Sequence, residues 1–508
     1  MKKRISLLLT VVLGCMLLCS CGKQSSAATI VLNDTGVTVN GAAAPSAKSS
    51  AVYVTNDIVY YEAGHDFTYG EGSESDAHSA EEAKKHTVVH ITKAGTYRVS
   101  GTLSAGQIAV DLGDDADDNP SEVVTLILDN VNLTCTVAPA IIFYEVYECN
   151  NDDEETATHT VNTKAAGANI VLADGSKNTV NGSYVAKIYE SYTLNDAGTE
   201  VVDSDKLHKY DGAVYSRMSL NVSGEKKGDG TLTITAENEG LDSERHLTIN
   251  GGTVNIVSEN DGINTNEDGI SVTTVNGGTL NIAVSPTAAE GDGIDSNGWL
   301  VINGGTVSAF ACGKSGDAGI DSDNGIYVNG GTVVATGNML DRLADGNQTF
   351  AVFSFAESQP ADTVYTLKNE QGSTVVSTTP ANNVTYLVVS SADLTAGTYT
   401  LYRGETALSV ATTNSGGGRP QGGNRPFGNA DEPPEKPEGE QPPTFDGNKP
   451  PEKNKGGFGE RPSFDGETPP EKPQGGLDSS PPASFTDTLY AATFTLADGA
   501  NYFSVAKG

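Results

Sequence analysis

Four copies of one phrase decide the fold: Asn250-Gly251-Gly252-Thr253-Val254, Asn276-Gly277-Gly278-Thr279-Leu280, Asn303-Gly304-Gly305-Thr306-Val307 and Asn329-Gly330-Gly331-Thr332-Val333. They follow one another at 26, 27 and 26 residues, and Gly228-Asp229-Gly230-Thr231-Leu232 is a degenerate copy 22 residues before the first. A fixed period of about 20–30 residues built from short strands and glycine turns is a solenoid signature. Ahead of the glycine pairs, Leu247 and Ile249, Leu300 and Ile302, and Ile326 and Val328 alternate with Thr248, Val301 and Tyr327. Behind them stand Val254 and Ile256, Leu280 and Ile282, Val307 and Ala309, and Val333 and Ala335. Period two on both sides of a turn means two strands per repeat, each with one buried face. No leucine ladder is present, and WD40 blades need about 40 residues, so a coil of β-helix is the fitting solenoid.

Stacked coils put equivalent residues about 4.8 Å apart. The asparagines at 250, 276, 303 and 329 are then expected to form a ladder joined amide to amide, with the glycine pairs allowing the sharp turn. Between these phrases runs a second motif: Glu239-Gly240-Leu241-Asp242-Ser243, Asp261-Gly262-Ile263-Asn264-Thr265, Asp292-Gly293-Ile294-Asp295-Ser296 and Ala318-Gly319-Ile320-Asp321-Ser322. In register it stacks Asp242, Asn264, Asp295 and Asp321 in one column and Glu239, Asp261 and Asp292 in another, with Asp317 alongside. Two carboxylates at coil spacing repel by about 1–3.5 kcal/mol for effective dielectrics between 80 and 20. Such a ladder calls for a counter-ion, and calcium, with six to eight oxygens at about 2.3–2.6 Å, suits a seat between coils. Zinc or copper would want His or Cys, which this stretch offers only as His246 and Cys312. The plainer reading is that these aspartates cap turns by accepting backbone amides.

The rest of the chain is read as almost wholly β, with 58 glycines, few aromatics and no apolar stripe of helical period. Residues 1–20 carry Lys2, Lys3 and Arg4 and then an apolar run too short to span a bilayer, as a signal peptide does. Leu18-Cys19-Ser20-Cys21 resembles the bacterial lipobox, so Cys21 is expected to be acylated, with 21–28 as tether; Val12-Leu13-Gly14-Cys15 fits the pattern less well because it lies inside the apolar run. Removing the leader, with three basic residues and no acidic one, takes the net charge from −35 to −38. Such a chain repels nucleic acid and anionic lipid, so membrane contact is expected through the anchor only. Cys135, Cys149 and Cys312 permit at most one disulfide in the body.

Residues 29–345 are assigned to the β-helix and 346–413 to a small C-terminal β module. Fifteen of the 21 prolines lie between Pro420 and Pro482, so 414–483 reads as a disordered Pro/Gly/Glu-rich linker, and 484–508 turns strand-like again and is expected to pair with the preceding module.

The Asp-Gly-Ile-Asp-Ser and Asn-Gly-Gly-Thr-Val repeats, with Gly212-Ala213-Val214-Tyr215-Ser216, the leader Lys93 to Gly101 and the ending Thr395 to Tyr402, resemble the bacterial carbohydrate-binding β-helix proteins that look like family 9 pectate lyases. The resemblance covers about residues 29 to 412. It implies a right-handed parallel β-helix, calcium held by Asp261, Asp292, Asp295 and Asp321 and less directly by Asp242, and binding of cellulose-like and pectic polysaccharides. Glu239, Ala318 and Asn264 depart from the motif, which leaves the number of ions open.

Three function classes are open. A non-catalytic binder, a monomer held at the outer face of the cell membrane, would stack sugars on aromatic faces, with Trp299 and the outward Tyr327 as candidates. A calcium-dependent polysaccharide lyase would need a lysine or arginine base to take the proton beside a uronate carboxylate. Lys314 is nearest in sequence to Asp317 and Asp321, with Lys226, Lys227 and Arg245 behind it, and none repeats with the acidic motif. A purely adhesive surface protein is the third class. No phosphate loop, hydrolase triad or zinc motif is found.

Overall fold

The strand Thr253–Ser258 pairs in parallel with Thr279–Val284, this with Thr306–Phe310, and this with Thr332–Gly337, so that Thr253, Thr279, Thr306 and Thr332 stand in one row. The repeat in the sequence is therefore the repeat of the pairing. Alternation supplies the buried side: Val254, Leu280, Val307 and Val333 are at most 1% exposed, while the threonines beside them face outward. β-Branched and aliphatic residues in this pattern suit a pleated, half-buried surface.

The structure is a computed structural model and describes residues 27–58, 68, 78–150, 153–185, 189–195, 197–206, 210–344, 346–413 and 490–507. The lipobox with Cys21 and the linker 414–483 lie outside the described residues. The chain divides into two units, Pro420–Leu489 and the remainder, and all of the described residues belong to the latter. The fold is all-β, and the helix Ala80–Ala83, capped by Ser79, is a single turn.

Parallel pairing builds three stacks. The first joins Ala28–Leu32, Gly95–Leu103, Val124–Thr134, Ala168–Leu172, Leu220–Gly224, Leu247–Ile249, Val272–Val275, Trp299–Ile302 and Gly325–Val328. The second continues from the end of Val124–Thr134 through Lys177–Gly182 and Thr231–Ala236 to the row described above. The third joins Thr87–Ile91, Gly106–Val110, Ile141–Phe143, Gly212–Ser216, Glu239–Ser243 and Ile263–Thr265, and continues as single bridges from Ile263 to Ile294 and from Ile294 to Ile320. The stacks are open sheets, consistent with a β solenoid. Between them lies one apolar core, in which Leu241, Ile263 and Ile294 are fully buried and Ile320 nearly so.

At the C-terminal end the parallel order stops. Val384–Ser390 pairs antiparallel with Thr332–Gly337, and Phe350–Gln359 pairs antiparallel with Val384–Ser390. A second core gathers there around Phe353, Tyr365, Leu401 and Phe503. The strand Ala500–Val505, from beyond the proline-rich stretch, lies parallel to Phe350–Gln359 and antiparallel to Val410–Thr413. The three cysteines Cys135, Cys149 and Cys312 are free thiols.

The turn between the first and second stacks explains the glycine pair. Gly252, Gly278, Gly305 and Gly331 have φ of +82°, +85°, +81° and +86°, a region costly for other residues. A Cβ on Gly278 would also sit 2.5 Å from the carbonyl oxygen of Gly252 on the neighbouring coil. Gly278→Ala is therefore expected to destabilise by about 2–4 kcal/mol, the left-handed backbone and the overpacking each contributing about half. Gly316→Ala, where a Cβ would meet nothing within 4 Å, should leave the denaturant midpoint unchanged.

Candidate functional site: an acidic ladder and an asparagine face

Each acidic motif is placed by the aliphatic residue at its centre. Leu241, Ile263, Ile294 and Ile320 point into the core in one column, so the residues that follow them, Asp242, Asn264, Asp295 and Asp321, stack at the coil edge. The residues two before them form a second column, joined through Gly240 N–H to Asp261 C=O, Gly262 N–H to Asp292 C=O and Gly293 N–H to Ala318 C=O. Glycine at the intervening position is required sterically: a Cβ on Gly262 would lie 2.6 Å from Gly293 O, and one on Gly293 2.3 Å from Gly319 O.

The two columns are not equivalent. Asp261 Oδ1 accepts from Asp292 N at 2.6 Å and Asp292 Oδ1 from Ala318 N at 2.5 Å, so this column caps turns on the adjacent coil. Asp317 does likewise, accepting from Gly291 N at 2.7 Å and from the Ser315 hydroxyl. Asp292 of this column converges with Asp295 and Asp321 of the other, each offering a carboxylate oxygen within 4.8 Å of the others. Further along, Asp242 is fully buried, and its Oδ2 and the Oδ1 of Asn264 are enclosed without a hydrogen-bond partner. Asp242 Oδ1 accepts from Asn266 Nδ2 at 2.7 Å, and Asn264 Nδ2 donates to Glu239 Oε1 at 3.0 Å.

Burial and mutual repulsion push these acids up. Desolvation, then Asp261 and Asp321, take Asp292 to about 9. Desolvation, then Asp341, take Asp321 to about 8. Asp261 reaches about 7 through burial and then Asp295, and Asp295 about 6 through burial and then Asp323. Asp242 is driven well above the carboxylate range by its complete burial, with Glu239 and Glu244 adding to it. Sequence reading missed Asp341, whose Oδ2 shares the Ser322 amide with Asp321 at 3.1 Å. Leu340-Asp341 keeps the aliphatic-Asp pair of the motif but has lost its glycine.

The first stack carries the asparagine ladder on its outer side. Asn276 Nδ2 donates to Asn250 Oδ1 at 3.0 Å, Asn303 to Asn276 at 2.9 Å and Asn329 to Asn303 at 3.0 Å, and Asn347 closes the row on Asn329 at 3.0 Å. Beside it runs a second outward row in strict register, Asn169, Asn221, Thr248, Thr274, Val301 and Tyr327. Trp299, half-buried, stands in register with Val272 and Gly325, one row removed from Tyr327.

A segment with no repeat of its own, residues 153–164, lies over this face. Thr163 bonds Asn221 Oδ1 at 2.8 Å and Thr248 Oγ1 at 2.7 Å, and Asn221 Nδ2 returns a bond to Thr163 O at 2.7 Å. His159 stacks on Tyr327 with centroids 4.2 Å apart, so one ring face of Tyr327 is already taken within the protein. His246 is also structural: its Nδ1 accepts from Val272 N at 3.1 Å, and burial lowers it to about 4.

The family of carbohydrate-binding domain-containing proteins matches residues 85–398, which take in both the ladder of acids and the asparagine face. The chain belongs to this family. A member from Acetivibrio thermocellus, called a carbohydrate-binding domain-containing protein, is 29% identical over 169 residues, which are 33% of this chain and 44% of the relative. The chain thus spans less than half the length of that relative. Among solved structures the chain is similar to a polysaccharide lyase-like protein from C. thermocellum, a gadolinium derivative, at 19% identity and a TM-score of 0.29, covering 63% of this chain and 98% of that one.

The raised acids fix the sign of a pH effect. A carboxylate whose folded value exceeds its unfolded value of about 3.9 favours the fold while protonated, and this contribution is lost as pH rises through the folded value. In chelator, the melting temperature is therefore expected to fall from pH 5 to pH 9, the interval that contains the values of about 6, 7, 8 and 9 for Asp295, Asp261, Asp321 and Asp292. Thermal melts across that range in EDTA check it.

Proposed function

We propose that this protein is a cell-surface lipoprotein, acylated at Cys21, that binds polysaccharide through a calcium-stabilised right-handed parallel β-helix without cleaving it. The observation that carries the reading is the convergence of the half-buried Asp292, Asp295 and Asp321 inside the span matched by the carbohydrate-binding family. Membership of the family supports polysaccharide as the partner. The three stacks of parallel strands support the β-helix, and the −35 charge supports a cation as its companion.

Calcium fits the donors present. Asp292, Asp295 and Asp321 supply hard oxygens from two successive coils, and the two enclosed oxygens of Asp242 and Asn264 are what a second ion would satisfy. The soft donors beside the acidic motif are already engaged: His246 Nδ1 accepts from a backbone amide and the buried Cys312 thiol is bonded to Ala288 O. Bound calcium would replace repulsion between coils with a shared positive charge.

Lys314 supports the non-catalytic reading. Its Nζ donates to Thr287 O at 2.9 Å and to Ala288 O at 3.0 Å, so the amine is engaged with two backbone carbonyls, whereas a base must be directed at the substrate proton.

Calcium should raise the melting temperature of EDTA-treated protein, and magnesium, which demands a tight octahedral shell, should do so less. Asp321→Asn separates an ion site from turn capping: in EDTA the variant should melt at or above the wild type, because one repelling charge is gone, and calcium should then add little. A variant that melts low in EDTA and still gains from calcium would mean that Asp321 only caps its turn.

Turnover and retention decide the second half of the proposal. A lyase acting on pectate creates unsaturated ends that absorb in the ultraviolet, so absorbance should stay flat while the protein is retained on insoluble polysaccharide. A steady calcium-dependent rise, abolished by Lys314→Ala, would make the protein an enzyme.

A further inference from the structure

Between the asparagine ladder and the segment laid over the sheet runs a groove of about 450 Å³. We infer that this groove is where a sugar chain lies, and that the chain is a neutral, hydroxyl-rich glycan running across successive coils. The inference rests on the proposed polysaccharide binding and gives it a place separate from the acidic ladder.

The floor is amide and hydroxyl throughout: Asn169, Ser223 and Thr274 beside the ladder residues Asn250, Asn276 and Asn303. The wall is Val161 to Lys164, and among the described residues Lys164 is the one charged member of the lining. A groove of this size falls within the about 300–1,000 Å³ usual for ligand sites. Among the described residues no carboxylate lines it, in a chain with 66 acidic residues, so its chemistry is set apart from that of the surface around it.

The ladder gives the floor a repeat. A primary amide has two N–H donors and two acceptor lone pairs. Each step of the ladder uses one donor of the upper residue and one lone pair of the lower, in the same direction from Asn250 to Asn329. Asn250, Asn276 and Asn303 are exposed, so the second donor and second lone pair of each amide recur outward once per coil. A coil advances about 4.8 Å, close to the length of one pyranose residue. A homopolymer that offers the same hydroxyls at every residue can therefore make the same pair of bonds at every coil.

The wall is built before any ligand arrives. Thr163 is 5% exposed, and its clasp with Asn221 and Thr248 fixes the segment at the height of the groove. A preformed wall lowers the ordering cost of binding. The net charge of −35 repels uronates at long range and leaves a neutral glycan unaffected.

Titration calorimetry of the full chain with cellohexaose and with hexagalacturonate, in calcium, tests this. Cellohexaose is expected to bind more tightly than hexagalacturonate. Ser223→Trp, which fills the floor, and the double variant Asn162→Ala with Lys164→Ala, which strips exposed groups from the wall, should each weaken cellohexaose by about tenfold, the worth of one or two hydrogen bonds. Glu370→Ala, on the C-terminal module, should bind as the wild type does. Should Ser223→Trp melt early, the exposed double variant decides, and undiminished binding there overturns the groove. Binding of glycan that survives every groove variant refutes this site and leaves polysaccharide binding standing, whereas a wild-type chain that binds neither these hexasaccharides nor insoluble polysaccharide refutes both.

Discussion

Parallel pairing in register brings each residue of a coil against its equivalent in the next. Everything else in this molecule depends on that constraint, because stacking at about 4.8 Å magnifies whatever a side chain does to a copy of itself. Valine on valine deepens the core, and asparagine on asparagine makes a chain of hydrogen bonds from Asn250 to Asn347. Aspartate on aspartate does the opposite. The same geometry that knits the asparagine row forces Asp292, Asp295 and Asp321 together and lifts them far from their ordinary ionisation.

The interruptions of the acidic motif take on a physical sense in that light. Asn264 stands between Asp242 and Asp295, and Ala318 replaces an acid beside Asp292, so the run of charge is broken twice. Turn capping and the convergence of carboxylates then overlap at Asp292. Asp261 and Asp292 each give one oxygen to a backbone amide of the next coil, Asp321 gives one to the Ser322 amide, and Asp292 and Asp321 still meet Asp295 at the convergence. The two readings of the motif were never exclusive, since a carboxylate has oxygens enough for both.

What repeats was legible and what does not repeat was not. The register of the Gly-Gly-Thr strands, the asparagine ladder and the stacking of Asp242, Asn264, Asp295 and Asp321 all follow from a period that can be counted along the chain. Residues 153–164 carry no period, and nothing in their composition says that Thr163 will clasp Asn221 or that His159 will cover Tyr327. Tyr327 was therefore read as an open platform when one face is occupied. Asp341 escaped for the complementary reason: it belongs to the acidic site in space but sits where the motif has decayed and the coils give way to the C-terminal module. Lys314 looked like a candidate base by proximity in sequence, and only coordinates reveal the two carbonyls that hold it.

The final strand has a consequence for how this family can diversify. Ala500–Val505 is held on both sides, by Phe350–Gln359 and by Val410–Thr413, and Thr413 stands opposite Tyr502. The long stretch between them therefore starts and finishes at one seam of the same sheet, so it is an insertion into a folded module. Closing a loop costs only about 0.6 kcal/mol more for each doubling of its length. Evolution can lengthen, shorten or exchange the proline-rich stretch at almost no cost to the fold, and a nick within it would leave the last strand in place, kept by its neighbours in the sheet.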